Sequence, residues 1–113
     1  MDSNKDIKML LIVVNAGFAD EAMKIARGEG AKGATILNAR GEGIVHKSFM
    51  GITVDSEREM LLILIDGKTA EKIMNAIAEK LGIQSPAQGI CFCMPVERTT
   101  VINNFPMAEE TAR

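Results

Sequence analysis

Three stretches of this chain are apolar at successive positions rather than at alternate ones: MLLIVV from Met9, MLLILI from Met60 and ICFCMPV from Ile90. Alternation marks a strand with one wetted face, whereas short continuous runs bounded by turn residues mark strands buried on both faces. The first two runs open segments that align without a gap, MLLIVVNAGFADEAMKIAR and MLLILIDGKTAEKIMNAIA. Met9/Met60, Leu10/Leu61, Leu11/Leu62, Ile12/Ile63, Ala19/Ala70 and Met23/Met74 are identical pairs. Each copy is an apolar run, a polar turn containing glycine, and a segment of helical period. One strand–turn–helix unit is used twice.

The pattern predicts strand one over Ile7–Val14, a turn at Asn15-Ala16-Gly17 and a helix over Phe18–Gly28, with Phe18, Ala22, Ile25 and Ala26 at helical spacing. Glycines in GEGAKG (Gly28–Gly33) end that helix by supplying left-handed backbone. Strand two follows at Ala34–Ala39 and strand three at Glu59–Ile65. The second helix runs from Thr69, its expected N-cap, to Leu81, with Ile73, Ile77 and Leu81 in one stripe and Gly82 at the C′ position. Strand four is Gly89–Val96. The order β-α-β-β-α-β is α+β and ferredoxin-like. Right-handed crossovers place strands one and three at the centre of a four-stranded antiparallel sheet, with both helices on one face.

Helices on one face leave the other uncovered. About eight large side chains there, at roughly 1.5–3 kcal/mol each, rival the stability of a small domain. The few residues after Val96 offer no further helix, so other subunits are expected to cover the second face in an obligate oligomer.

At 113 residues the chain reads as one domain (1–113) with a loop at 41–57 and a tail at 99–113. A net charge of −2 argues against a nucleic-acid partner. The polar opening MDSNKDIK reads as neither secretory leader nor lipidation site, and no apolar run approaches the ~20 residues of a membrane helix. A cytoplasmic protein without direct membrane insertion is expected. Eight methionines stand in for missing aromatics as adaptable core fillers. Cys91 and Cys93 would share one strand face, as small core hydrophobes rather than a soft-metal or redox pair, because no further Cys or His cluster completes a zinc site.

The most informative segment is RGEGIVHKSFMGITVDSER, Arg40–Arg58. A ferredoxin-like fold closes this hairpin in roughly two to five residues, so a much longer connection points to a functional loop. The alternative is a hairpin extension in which SFMGITV pairs back on itself. His46, without a partner His or Cys, reads as a solvated side chain. Arg40-Gly41-Glu42-Gly43 sits at a strand end, where glycine lets backbone N–H groups approach an anion. The Gly89 region is a second glycine loop, expected to converge with the first at one end of the sheet.

With these motifs in place, the chain resembles the P-II nitrogen-regulatory signalling superfamily. The likeness spans Ile7–Val101 and includes Gly33-Ala34-Thr35-Ile36 entering strand two, Arg40-Gly41-Glu42-Gly43, Gly89-x-x-Phe92 and Val96-Glu97-Arg98. It implies a homotrimer whose sheets pack inward and an adenine nucleotide (ADP, AMP, cyclic AMP or ATP) as effector in the inter-subunit clefts. It also implies a long loop that docks on a partner membrane transporter or metabolic enzyme. Carried over by position, Val13, Thr35, Leu62 and Leu64 would surround the base. Gly41, Gly43, Gln88 and Gly89 would approach the phosphates, and Arg40 and Arg98, with Lys47, would supply charge. The chain departs from the family where Ile44, Val45 and Ile90 stand in place of polar or basic residues, and where Val101 and Asn103 replace two arginines. Those losses remove charge-assisted contacts from a triphosphate. The loop is also shorter and has no tyrosine to modify.

A ferredoxin-like trimer of the copper-tolerance CutA kind, metal-binding or structural, is the alternative, with His46, Cys91 and Cys93 its only soft ligands. An enzyme is not expected. Acylphosphatase chemistry needs an Arg in the turn that is here Asn15-Ala16-Gly17. Asp20 and Glu21 read as helix-dipole partners, and Asp66-Gly67-Lys68-Thr69 lacks the glycine spacing of a P-loop.

Overall fold

The structure is a computed structural model, and it describes residues 6–41, 47–49, 52–54 and 56–100. Within these the elements are β1 (Ile7–Asn15), α1 (Ala19–Gly28), β2 (Thr35–Gly41), β3 (Lys47–Phe49), β4 (Ile52–Val54), β5 (Ser56–Asp66), α2 (Gly67–Leu81) and β6 (Ile90–Pro95). Four strands form one antiparallel sheet in the order β2-β5-β1-β6, so the two repeated strands are central. β3 and β4 form a separate two-stranded hairpin, pairing Lys47 with Val54, Ser48 with Thr53 and Phe49 with Ile52. The SFMGITV segment does pair back on itself.

The repeat has a geometric signature. β1 and β5 pair so that Leu11 faces Leu62, Leu10 faces Ile63 and Ile12 faces Leu61. Leu11 and Leu62 are equivalent positions of the two copies, so the pseudo-twofold relation passes through that pair. Leu10, Ile12 and Val14 of β1 and Leu61, Ile63 and Ile65 of β5 are buried beneath the helices. Ala22 and Ala26 of α1 and Ile73 and Ile77 of α2 complete this core. The small residues of α1 and the isoleucines of α2 are packed against the sheet side chains.

Three local expectations change. The N-cap of α2 is Asp66, whose carboxylate accepts the N–H of Thr69 at 3.1 Å, so Thr69 is the capped residue, not the cap. Gly82 is not left-handed (φ −69°); glycine is required there because a Cβ would collide with the Ala78 carbonyl. Among the described residues the left-handed glycines are Gly17 (φ 100°) and Gly30 (φ 123°), at the two turns flanking α1.

Candidate functional site

Register decides which side chains share the face opposite the helices. Directly paired residues lie on one side of a sheet. One row across the sheet is Thr35–Leu62–Leu11–Phe92, the next is Leu37–Met60–Val13–Ile90, and a third is Leu64–Met9–Met94. No helix covers these rows: Leu37, Ile90, Phe92 and Met94 are 44%, 42%, 49% and 41% exposed. The doubly apolar strands of the sequence therefore do leave a broad apolar face open to solvent in the single chain. At the far end Ile7 is buried by Leu64 and Val96.

At its other end this face stops on a polar row. Ala39 pairs with Arg58, and Arg58 pairs with Asn15. Gly41 lies one step beyond Ala39 on the same side, and the Arg58 side chain runs across it; a Cβ on Gly41 would fall 2.7 Å from Arg58 Nε. Arg58 is half-buried, and among the described residues it has no ion pair. Asn15 Nδ2 donates to the Pro86 carbonyl at 2.8 Å and to Gln88 Oε1 at 3.4 Å, while Asn15 N–H donates to the Ala87 carbonyl at 2.8 Å. Gln88 is the one non-glycine with positive φ (47°) among the described residues. Gly89 N–H then donates to the Leu81 carbonyl at 2.7 Å.

The turn that leads into α1 is held from the same strand end. α1 has no local side-chain cap. Glu59 replaces one across the sheet, its Oε1 accepting from Gly17 N–H at 2.9 Å and Ala19 N–H at 3.2 Å. A carboxylate there also suits the positive end of the helix dipole. Ala16 N–H donates to the Glu57 carbonyl at 2.9 Å, so the first residues of β5 are fastened to this turn through backbone as well.

Of the residues expected to bind a ligand, Val13, Thr35, Leu62 and Leu64 share the open face, and Gly41 borders it. Gln88 and Gly89 lie at the Gly41 end of the sheet, as expected, but beside β6, with β5 and β1 between. At about 4.8 Å per strand the two glycine loops are on the order of 14 Å apart in one chain. They meet at one end but not at one edge. Arg40 pairs with Glu57 in the alternate register, on the helix side. Arg98 follows β6 at the opposite end, past the point where Val96 N–H bonds the Ile7 carbonyl. Gly43, Ile44, Val45 and His46, with Val101 and Asn103, lie outside the described residues. Arg58 and Asn15 were missed, because the face of an arginine at a strand start depends on register, which sequence alone left open.

Cys91 packs partly against the core and burial pushes its thiol up to about 11, so it is a neutral small hydrophobe at pH 7. Cys93 is exposed, not a core residue as expected; both are free. Among the described residues no three His, Cys, Asp or Glu side chains group as a metal-ligand set. An apolar groove of about 680 Å³ lies between α2 and the β6 edge, lined by Met74, Ile77, Ile83 and Ile90 among others. Ser85 and Gly89 of the turn before β6 also line it. Among the described residues no helix is long and apolar enough to cross a membrane.

Comparison with known proteins agrees with this architecture. The family model for nitrogen regulatory protein P-II matches residues 7–104, nearly the whole described chain. The chain belongs to the P-II family and is a P-II-like signalling protein. Similar solved structures include one described as a PII-like signalling protein from Thermus thermophilus, at 22% identity and a TM-score of 0.63, covering 80% of this chain and 86% of that one. The GlnK–ATP complex of B. subtilis is 17% identical with a TM-score of 0.63, covering 82% and 85%. B. subtilis GlnK itself is 17% identical with a TM-score of 0.62, covering 82% and 87%. No curated protein matches the sequence.

Proposed function

We propose that this chain is a regulatory protein, not an enzyme, that assembles as a homotrimer through the open sheet face. In this reading it binds an adenine nucleotide where that face ends. The observation that carries the reading is the junction of an uncovered apolar face with the polar row of Arg58 and Asn15 beside Gly41. An adenine ring needs an apolar bed, and its phosphates need N–H donors and a cation nearby. Thr35, Leu62, Leu64 and Val13 supply the bed; Gly41, Gly43 and Arg58 supply the anion-facing side. Because the Gln88–Gly89 turn sits at the opposite edge of its own sheet, one chain offers half of the cleft and a neighbouring copy the rest. Arg98 contributes only from such a neighbour.

Ile44 and Ile90 stand where charge would favour a triphosphate, so a nucleotide with fewer charges (ADP, AMP or cyclic AMP) suits the site better than ATP. The hairpin of β3 and β4 projects from the same strand ends, β2 and β5, that carry Gly41 and Arg58. It is the element that would present the bound state to a membrane transporter or metabolic enzyme. The complex of B. subtilis GlnK with ATP supports a nucleotide as the effector class.

Calorimetric titration with ATP, ADP, AMP and cyclic AMP, with and without magnesium, tests the reading. Binding at micromolar affinity by at least one, tightest for those with fewer phosphates, is expected. Silence from all four with the oligomer intact removes the nucleotide from the proposal. Deleting Ile44–Asp55 should leave the assembly folded and abolish partner capture; loss of the assembly would make the hairpin a structural clasp instead.

A further inference from the structure

The turn into β6 is held in a shape that its own residues disfavour. Gln88 has φ 47°, a left-handed conformation in which a side chain crowds the following carbonyl. Glycine would adopt it freely. The next residue cannot yield, because Gly89 is buried and a Cβ there would collide with the Leu81 carbonyl and lie 3.3 Å from Val14 Cγ1. Gln88 therefore gains from any contact that anchors the turn from outside as well as from within.

Asn15 is the outside group that makes such contacts. It is the last residue of β1, one position from the core residue Val14 and therefore firmly placed. Three of its bonds end on successive residues of the turn: Nδ2–H to the Pro86 carbonyl, backbone N–H to the Ala87 carbonyl, and Nδ2–H to Gln88 Oε1. From the other side Ser85 Oγ donates to the Gly82 carbonyl at 2.7 Å and accepts Ala87 N–H at 3.2 Å, so the start of the turn closes on itself. At its strained end Gln88 N–H donates to the Ser85 carbonyl at 3.0 Å, and Asn15 adds the link from outside, to the Gln88 side chain. Asn15 also faces Arg58 in the ladder, and the next residue, Ala16, bonds to Glu57. One strand end thus touches both the glycine turn and the foot of the hairpin.

We propose that Asn15 is the positioning residue of the ligand site. It fixes the Gln88–Gly89 turn in its ligand-ready shape and ties that turn to the β5 foot of the hairpin. The inference rests on the nucleotide reading above for its ligand, but not for its geometry. Asparagine suits the task because its amide donates two hydrogens, which neither Asp nor Ala provides.

The test compares wild type with Asn15→Ala, Asn15→Asp and the double variant Asn15→Ala/Gln88→Gly. Each is titrated with the nucleotide that wild type binds best, and the amide and Cα shifts of Gln88 and Gly89 are followed by NMR without ligand. Asn15→Ala and Asn15→Asp should each lose about tenfold or more in affinity, the scale set by releasing one left-handed residue. The free-protein shifts of Gln88 and Gly89 should move. In the double variant glycine adopts the left-handed shape without help, so part of the affinity should return. A role in packing alone predicts no such rescue. Unchanged affinity with unchanged Gln88 and Gly89 shifts in Asn15→Asp overturns the proposal, as does a double variant no better than Asn15→Ala. If wild type binds no nucleotide, the functional reading fails by itself. The positioning role is then judged on the shifts, whose constancy in Asn15→Ala overturns it.

Discussion

Glu59 illustrates how much one side chain does at the polar end of this sheet. Its register places it on the helix side of β5, directly below the start of α1, where Phe18 occupies the N-cap position and offers no acceptor. Gly17 and Ala19 N–H groups are therefore satisfied by a carboxylate from forty residues away in sequence. Removing it leaves one helix-terminal donor, Ala19 N–H, and the Gly17 N–H of the preceding turn without this acceptor. Glu59→Ala should lower stability by about 0.5–2 kcal/mol, as loss of a local cap does. Glu59→Gln keeps the Oε1 acceptor and should cost less than half as much. Chemical denaturation of all three proteins at one fixed concentration checks this. Equal losses for Ala and Gln would mean that charge, not the hydrogen bonds, carries the effect. None of this was legible in the sequence, where Asp20 and Glu21 were the visible dipole partners and Glu59 read as a strand residue. The cap spans the sheet, and only strand register brings it to the helix.

At the scale of elements, the repeated apolar runs and the helical stripes were enough to place β1, α1, β2, β5, α2 and β6 within one to three residues of their observed bounds. Local pattern and tertiary burial agree there: Leu10, Ile12, Leu61 and Ile63 are apolar because both the strand and the core require it. The loops followed other rules. Gly82 and Gly89 look alike in sequence to Gly41, yet each is glycine for its own reason. A Cβ on Gly89 meets the Leu81 carbonyl, which is backbone and cannot move aside. A Cβ on Gly41 meets the flexible Arg58 side chain, Nε at 2.7 Å with Cδ and Cγ at 3.5 Å, and no backbone atom is among these nearest contacts. Gly89→Ala should therefore destabilise by about 1–3 kcal/mol, in the range of overpacked sites. Gly41→Ala should leave the denaturation midpoint nearly unchanged while displacing Arg58 and weakening anionic-ligand binding. The two variants, compared by denaturation and by titration, separate a glycine needed for packing from one needed for the site. A large stability loss in Gly41→Ala would contradict the assignment.

For the molecule as a whole, the decisive quantity is the apolar face that two helices cannot reach. Leu11 lies at its centre, between Leu62 and Phe92 and on the pseudo-twofold relation of the repeat. In an isolated chain a lysine at this position would extend its stem along the face and keep its ammonium in water. In a trimer closed through the face, the same ammonium is buried without a partner, which costs several kcal/mol. Leu11→Lys therefore distinguishes the two cases, and Ile83→Lys is its control, because Ile83 is 59% exposed on the helix side. Sedimentation at micromolar concentration should give trimers for wild type and Ile83→Lys, and monomers or unfolded chains for Leu11→Lys. A folded wild-type monomer, or a Leu11→Lys trimer as stable as wild type, would remove the trimer. The inter-subunit cleft would go with it, because Gly41 and Gly89 lie at opposite edges of a single sheet and only a second copy brings such edges together.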